Sequence, residues 1–433
     1  MREVATVRRR AAILALAVAA PLAACASDTS GTPELLWYIN PDSGGQARIA
    51  QECTDEADGD YRLTTVLLPR DAPSQREQLI RRLAANDSSI DLMSIDPPYI
   101  PEFANAGFLA DVPDDVEKKV TEGVAEGAVT GATFDGKLVT VPFWANTQLL
   151  WYRRSVAEAA GLDMTQPVTW DQLIEAAAEQ EKTFAVQGVR AESLTVWVNA
   201  LVTSAGGQIL ENPEEPDPGL VVPTLQSDAG RRAAEIIRSL ADARVGGAQL
   251  ANATEDIDAS LFEGDSAGFM VNWPFVWQRA KTAVEDGTLE QSVVDDFGWA
   301  LYPRAVEGEE SRPPYGGINL GVGAFSKHVD LAFQAAQCIA SPDKQASYFL
   351  SDGNPPSSLE AFDDPDVQKE FPMADVIRQS LEQAAPRPQT PFYNEVSSSI
   401  QRTWHPPGAV SPDVSPRRAD ELISSVLKGE ALL

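Results

Sequence analysis

Apolar and polar positions in the first hundred residues follow two different periods. Short apolar runs predict strands at ELLWYI (34–39), YRLTTVLLP (61–69) and SIDLMSID (89–96). Between them, GQARIAQECTDEA (45–57) and SQREQLIRRLAAN (74–86) repeat apolar residues at helical spacing. A β–α–β–α–β order of this kind predicts a parallel sheet covered by helices.

Two helix starts are marked by side chains that can cap them. Ser74 is followed three residues later by Glu77, and Thr169 by Gln172. In this pattern the first side chain binds the third backbone N–H, and the third side chain reaches back. The sequence therefore predicts capping boxes at Ser74 and Thr169.

The same alternation of strands and helices continues beyond the first hundred residues. VPFWANTQLLWYRR (141–154) is apolar but carries polar side chains, and it follows a turn at Asp135-Gly136. A chain of 433 residues favours two lobes over one. We therefore predict an α/β protein of two lobes with a cleft, with strands at Phe143–Tyr152 and Phe297–Tyr302 crossing between them.

The N-terminus has the pattern of a secretory signal. Four arginines among the first ten residues precede the apolar run 11–20, which is too short to span a membrane. The run ends at Leu-Ala-Ala-Cys25, which resembles a bacterial lipobox. We predict a signal peptide at 1–24, a lipidated Cys25 and a tether at 25–33, which place the protein outside the cytoplasm on the membrane's outer face. An ordinary signal peptide is the alternative.

The net charge and the cysteine content indicate which binding partners and which cellular compartment suit the protein. The net charge of −30 disfavours binding to nucleic acid or anionic lipid, and is typical of a well-solvated exported protein. Cys53 and Cys338 remain once Cys25 is assigned to lipid. In an exported protein they suggest one disulfide, with two buried free thiols as the alternative.

Catalytic motifs are scarce in this sequence. Its two histidines, His328 and His405, have no neighbouring nucleophile motif, and no phosphate loop, zinc motif or calcium loop occurs. We therefore predict no enzyme activity, no cofactor and no metal, although the many carboxylates leave a secreted glycoside hydrolase open. Tryptophans beside hydrogen-bonding groups at 144–148 and 271–277 instead favour sugar binding, because rings stack on sugars while polar groups bind hydroxyls.

Several motifs carry a family resemblance over nearly the whole predicted mature chain. In order behind the lipobox they are LPR, RRLAANDSSIDLMSID, EFANAGF, NTQLLWYR, TSAGG, VNWPFV, GGINLGV and RPQTPFY. With them the chain resembles the family 1 extracellular solute-binding proteins of ABC sugar importers, and within that family the LpqY-like trehalose-binding lipoproteins. The segment between Trp273 and Gly316 looks shorter than in the mycobacterial proteins.

The resemblance implies a two-lobe periplasmic-binding-protein-like fold with discontinuous lobes, hinge strands and a central ligand cleft. The first lobe would comprise 34–147 and 299–345, and the second 148–298 and 346–433. The resemblance also implies a disulfide between Cys53 and Cys338, joining the first and last helices of the first lobe.

The resemblance further implies which residues bind the sugar. Carboxylates, an amide and a guanidinium would bind hydroxyls, a tryptophan would stack, and two glycines would admit the ligand to the backbone. These residues are Asp96, Asn146, Glu255, Trp273, Gly316, Gly317 and Arg387, with Asp42 and Tyr99 as further wall residues. Helix capping, tight turns and a surface ion pair are alternative roles for the charged residues and the glycines.

From these features we predict a protein that takes part in transport and catalyses no reaction. A lipid-anchored monomer would capture an α-linked disaccharide, most strongly trehalose, and deliver it to permease subunits with their ATPases. A maltose-type oligosaccharide or a glycerophosphodiester is the alternative ligand. Asn146 is expected to face the cleft, while Leu149 and Leu150 pack in the core.

Overall fold

The computed structural model describes residues 31–433, so the predicted signal peptide and Cys25 lie outside the described residues. The strands are β1 (Glu34–Ile39), β2 (Arg62–Leu67), β3 (Leu92–Ile95), β4 (Thr133–Phe134), β5 (Lys137–Leu138), β6 (Val141–Thr147), β7 (Leu149–Arg153), β8 (Thr183–Ala185), β9 (Ala267–Asn272), β10 (Phe297–Ala300) and β11 (Tyr315–Val322).

Helices connect and cover these strands, and most of the chain after β11 is helical. They are α1 (Gly45–Glu56), α2 (Ala72–Leu83), α3 (Ile100–Asn105), α4 (Asp114–Thr121), α5 (Glu126–Gly131), α6 (Arg154–Ala159), α7 (Trp170–Glu179), α8 (Glu192–Ser204), α9 (Asp228–Asp242), α10 (Glu255–Glu263), α11 (Phe275–Glu285), α12 (Gln291–Asp295), α13 (Val329–Ile339), α14 (Pro342–Asp352), α15 (Leu359–Phe362), α16 (Pro365–Glu370), α17 (Ala374–Gln383), α18 (Tyr393–Trp404) and α19 (Ser415–Leu427).

Two sheets organise the chain into two lobes. The first sheet has the strand order β2-β1-β3-β11-β6, and the second has the order β10-β7-β9-β8. β1 pairs in parallel with β2 and β3, which confirms the parallel pairing predicted for this region. The late strand β11 is antiparallel to both β3 and β6, so the first sheet is mixed.

The chain crosses from one sheet to the other at Gln148. β6 ends at Thr147 in the first sheet, and β7 begins at Leu149 in the second. Leu149 and Leu150 are fully buried in apolar clusters, as predicted. The buried side chain of Gln148 donates to Gln187 Oε1 at 3.0 Å, which fixes the crossing to the second lobe.

The return to the first sheet comes later than the predicted boundary at residue 299. Trp299 and Ala300 still pair with β7 of the second sheet. Helix α14, which the predicted boundary after residue 345 divides between the lobes, contacts both of them. Its Tyr348 stacks on Phe143 of the first lobe at 5.4 Å, while Phe349 joins an apolar cluster with second-lobe residues. The remaining lobe boundaries stay predictions.

The two predicted capping boxes differ in outcome. Thr169 and Gln172 form the reciprocal pair, so the box that opens α7 is confirmed. The box at Ser74 is wrong, because α2 begins two residues earlier at Ala72. There the Asp71 carboxylate accepts the Ser74 N–H at 3.0 Å, and Pro73 lies in the first turn, where a missing N–H costs nothing.

A disulfide joins Cys53 and Cys338, as predicted. Cys53 lies on α1 and Cys338 on α13, and both helices pack on the first sheet. The bond links positions 285 residues apart, so it ties the early and late parts of the first lobe together. Among residues 31–433, no helix is long and apolar enough to cross a membrane.

Candidate functional site

Arg387 forms a buried ion pair with Asp96. Asp96 directly follows β3, and Arg387 lies in the segment between α17 and α18. Arg387 Nη2 donates to Asp96 Oδ1 at 2.6 Å, and Nη1 donates to Oδ2 at 3.0 Å. The two-point geometry fixes the guanidinium plane. Only 4% of the Arg387 side chain is exposed, so this is a core ion pair and not the surface pair considered from sequence.

Glu192 is a second carboxylate on the same guanidinium, and sequence reasoning missed it. Arg387 Nη1 donates to Glu192 Oε1 at 2.9 Å. The hydroxyl of Tyr393 donates to the same oxygen, and Ser397 Oγ donates to Oε2 at 2.6 Å. Glu192 is the first residue of α8, where the partial positive charge of the helix end favours a carboxylate.

Burial and neighbouring polar groups shift the pKa values of Glu192 and Arg387 in opposite directions. Burial raises the pKa of Glu192, while Arg387, Ser397 and Tyr393 lower it in part. Burial alone would lower the pKa of Arg387, but Asp96, Tyr393 and Glu192 raise it well above its usual value. Arg387 is therefore the fixed positive charge of the cluster. All the bonds to Glu192 run from donors, which fits an ionised carboxylate.

Tyr99 lies beside this cluster. Its ring packs edge to face on Tyr393 with the centroids 5.2 Å apart, and the side chain is buried. The Tyr99 hydroxyl has no hydrogen-bond partner among the described residues. Burial, Glu192 and Asp96 raise the pKa of the phenol, so it stays a neutral donor. An unpaired buried hydroxyl is costly unless water or a ligand binds it.

Trp273, Gly316 and Asn146 form a second group at the strand crossing. Gly316 pairs directly with Asn146 across β11 and β6. Opposite residues of an antiparallel pair share one face of the sheet. A Cβ atom on Gly316 would lie 3.1 Å from the Trp273 ring, so ring and backbone are in contact there. The Asn146 side chain is buried, and its Oδ1 accepts the Thr147 N–H at 3.0 Å.

The backbone conformation at position 317 requires glycine. Its φ of +123° lies in the region that favours glycine, and a Cβ atom would come within 2.2 Å of the Trp144 carbonyl oxygen. Gly317 therefore permits the close pairing of β11 with β6 that brings Gly316 under Trp273.

Glu255 lies next to both groups. It is the half-buried first residue of α10. Its backbone carbonyl accepts a hydrogen bond from Nδ2 of Asn272, the residue that precedes Trp273, at 3.0 Å. Burial raises the pKa of the Glu255 carboxyl, and the nearby charge of Glu192 raises it further. A hydrogen bond from Ser193 acts in the opposite direction and lowers this pKa. Glu255 thus fits both the ligand role and the first-turn role considered from sequence.

Asp42 has a helix-capping role. Its Oδ1 accepts the Gly44 N–H at 3.0 Å and its Oδ2 accepts the Gln46 N–H at 2.7 Å. These bonds satisfy donors at the start of α1. A place for Asp42 in the ligand wall stays a prediction.

A cavity of about 570 Å³ lies between α5 and α17, and none of the predicted site residues lines it. Tyr315 lines it, as do Thr130 and Glu382. Tyr315 and Gly316 are successive residues of β11. The Tyr315 side chain and a Cβ atom added to Gly316 would therefore lie on opposite faces of the sheet. The cavity is therefore on the far side of β11 from Trp273, and it is not the site formed by the predicted residues.

A family model described as "Bacterial extracellular solute-binding protein" matches residues 59–346. The chain belongs to this family. A relative from Deinococcus radiodurans, described as a probable ABC transporter-binding protein, is 24% identical over 383 residues, which are 83% of this chain and 85% of the relative.

Solved structures of solute-binding proteins share the fold. Maltose-bound MalE3 of T. maritima has a TM-score of 0.78 and 23% identity, over 92% of this chain and 100% of that chain. The GacH receptor of Streptomyces glaucescens, solved without ligand and with acarbose, has a TM-score of 0.76 and 19% identity over the same shares. The two-lobe periplasmic-binding-protein-like fold expected from sequence is thereby confirmed.

Proposed function

We propose that this solute-binding protein is the lipid-anchored component of an ABC importer that captures an α-linked disaccharide, with trehalose as the first candidate. Capture is non-covalent and needs no metal or cofactor. The site comprises Asp96, Asn146, Glu255, Trp273, Gly316, Gly317 and Arg387, with Tyr99 and Asp42 in supporting positions.

The observation that carries this proposal is the position of Trp273. Its ring is half-buried and belongs to none of the apolar clusters of the described residues, although most tryptophans of the chain are fully buried. It lies against bare backbone at Gly316, with hydrogen-bonding groups nearby. A half-exposed ring beside amides and carboxylates is suited to a sugar, whose C–H face stacks while its hydroxyls bind.

Groups from both lobes contribute to this site. Asp96 follows a strand of the first sheet, whereas Trp273 and Glu255 belong to the second lobe. A ligand that binds both sets gains more contacts in the closed arrangement than in an open one. It therefore shifts the population toward closure, which is the state offered to the permease.

The N-terminal pattern supports the membrane part of the proposal. A lipid on Cys25 would hold the protein at the outer face of the cytoplasmic membrane, beside a permease with its ATPases. The protein would act there as a monomer. Labelling with a palmitate analogue tests this, because Cys25→Ser should lose the label and Cys53→Ser should keep it.

A maltose-type oligosaccharide is the second candidate ligand. MalE3 was solved with maltose and the GacH receptor with acarbose, and both share this fold. The resemblance of NTQLLWYR and VNWPFV to the LpqY-like proteins is what puts trehalose first.

Calorimetry with trehalose, maltose and glycerophosphocholine tests the proposed function. Trehalose should bind most tightly, and Trp273→Ala or Asp96→Ala should weaken that binding. Binding of glycerophosphocholine alone would contradict the proposal, as would release of glucose from trehalose. Tighter binding of maltose would replace trehalose with the second candidate.

A further inference from the structure

The guanidinium of Arg387 is held from two directions by residues far apart in sequence. Asp96 binds it in a two-point pair from the first sheet, and Glu192 binds it from the start of α8. The sugar-site prediction gives Asp96 and Arg387 ligand roles and gives Glu192 none. Glu192 is nevertheless among the most firmly fixed side chains of the cluster.

The fixation of Glu192 is built from a chain of hydroxyl groups. Tyr393 and Ser397 of α18 each donate to one of its carboxylate oxygens. Ser397 Oγ in turn lies 2.8 Å from Thr195 Oγ1, which returns the chain to α8. These contacts leave the carboxylate one orientation, with Oε1 toward Arg387 Nη1.

We propose that Glu192 is a positioning residue that holds Arg387 beside Asp96 and makes the site reject anionic sugars. The inference rests on the proposed function and names the class of sugar that this site accepts, which is neutral. Glu192 acts through Arg387, so direct contact between Glu192 and the ligand is not required.

The charge balance of the cluster supports the selectivity. Arg387 supplies one positive charge, and Asp96 and Glu192 supply two negative charges within hydrogen-bond distance of it. Glu255 lies close enough to Glu192 to be affected by its charge. Both Nη atoms of Arg387 already have carboxylate partners, while its buried Nε has none among the described residues. An incoming phosphate therefore meets a group of net negative charge.

The positioning role follows from the shape of the guanidinium. Its planar fork binds two-point partners only in one orientation. Without the Glu192 charge, Asp96 alone would balance the charge of Arg387, so the guanidinium would be held less firmly and the cluster would no longer repel an anion. Loss of Glu192 should therefore weaken neutral sugars and favour anionic ones.

Glu192→Gln is the decisive variant because it keeps the shape and removes the charge. The glutamine oxygen can still accept from Arg387 and Tyr393, and its amide can donate to Ser397, whose hydroxyl also accepts. Glu179→Gln is the matched control, since Glu179 is an exposed residue at the end of α7 in the same lobe.

The probes are trehalose or maltose, whichever the wild type binds more tightly, and the 6-phosphate ester of that sugar. Calorimetry should show that Glu192→Gln weakens neutral sugar about tenfold, as expected when the hydrogen bond that orients Arg387 loses one of its two charges. The ratio of phosphate-ester affinity to neutral-sugar affinity should rise by at least about tenfold. Glu179→Gln should leave both values unchanged.

The ratio separates positioning from a merely structural role, because general destabilisation weakens both probes together. An unchanged ratio in Glu192→Gln would overturn the inference, as would wild type that binds the phosphate ester as tightly as the neutral sugar. If Glu192→Gln fails to fold, Ser397→Ala removes one bond to Glu192 and should shift the ratio in the same direction. Wild type that binds no sugar at all would overturn the proposed function and this inference together.

Discussion

The indole ring of Trp273 covers the backbone of Gly316. A Cβ atom on the glycine would lie 3.1 Å from the ring, and the two residues belong to different lobes. Gly316 lies on β11 of the first sheet, whereas Trp273 follows β9 of the second. The contact therefore joins the lobes close to the strand crossing, where a ligand between them would touch both.

Trp273→Ala should reduce sugar affinity and leave stability nearly unchanged. The ring belongs to no apolar cluster of the described residues, so the core loses little when it is removed. A ligand that buries the ring would lose roughly 1.5–3 kcal/mol of binding free energy, which is about tenfold or more in affinity. Calorimetry with the sugar and thermal unfolding of the same sample measure the two effects.

Trp277→Ala is the matched control, with the opposite profile expected. Trp277 packs against Trp299 at 5.6 Å and donates to the Glu370 carbonyl at 2.7 Å. Its removal should lower the melting temperature and leave sugar affinity near the wild-type value. A Trp273→Ala protein with full affinity and a lowered melting temperature would instead place Trp273 in the core.

Gly317→Ala should destabilise the fold by at least about 1–3 kcal/mol, because it combines backbone strain with a collision. The φ of Gly317 is +123°, and a Cβ would come within 2.2 Å of the Trp144 carbonyl oxygen. Gly59→Ala is the control, since Gly59 has a φ of +95° with nothing within 4 Å of an added Cβ. Urea unfolding should show a larger loss for Gly317→Ala, and equal losses would show that the collision is relieved at no cost.

Local patterns predicted most of the fold. The strands of the first sheet, the strand crossing and the Thr169 capping box each depend on residues close in sequence, where periodicity and side-chain capping act. The Ser74 box failed because Asp71 competes for the same backbone donor and lies nearer the true start of the helix. The predicted lobe boundary fell inside α14 because a helical pattern does not reveal which lobes the faces of the helix contact.

The family resemblance named candidate site residues, but it did not name the bonds between them. The pairing of Arg387 with Asp96 joins residues 291 positions apart, and Glu192 joins Arg387 over 195 positions. Nothing in local sequence encodes such pairings, and the family resemblance supplied the residues without their partners. The one signal for Glu192 was its place as an acidic residue at the start of an apolar helix.

Removal of the disulfide by Cys53→Ala with Cys338→Ala should lower the free energy of unfolding and preserve sugar binding. The bond closes a loop of 285 residues, and loop entropy sets an upper value of about 5 kcal/mol for its contribution. Both cysteines lie on helices that pack on the first sheet, while Trp273 and Glu255 lie in the second lobe. Urea unfolding and calorimetry test the two statements, and a loss of affinity with unchanged stability would contradict them.

Asp258→Asn should flatten part of the pH dependence of stability. The Asp258 side chain is fully buried; Oδ2 accepts Gln187 Nε2 at 2.7 Å, while Oδ1 has no partner among the described residues. Burial raises the pKa of this carboxyl well above its ordinary value of 3.8. Between the unfolded and the folded pKa, the folded protein retains a proton that the unfolded chain has lost. The contribution of Asp258 to stability is therefore full below pH 3.8 and falls as the pH rises through the folded pKa.

The side chain of Asp258→Asn cannot titrate, but its amide oxygen can still accept the hydrogen bond from Gln187. The free energy of unfolding of this variant, relative to wild type, should therefore increase as the pH rises from about 4, by about 1.4 kcal/mol for each unit of the pKa shift. Asp375→Asn, at an exposed position of α17, should follow the wild-type curve. Urea unfolding at a series of pH values compares the three proteins. Parallel curves for Asp258→Asn and wild type would show that Asp258 ionises in the folded protein as it does in the unfolded chain.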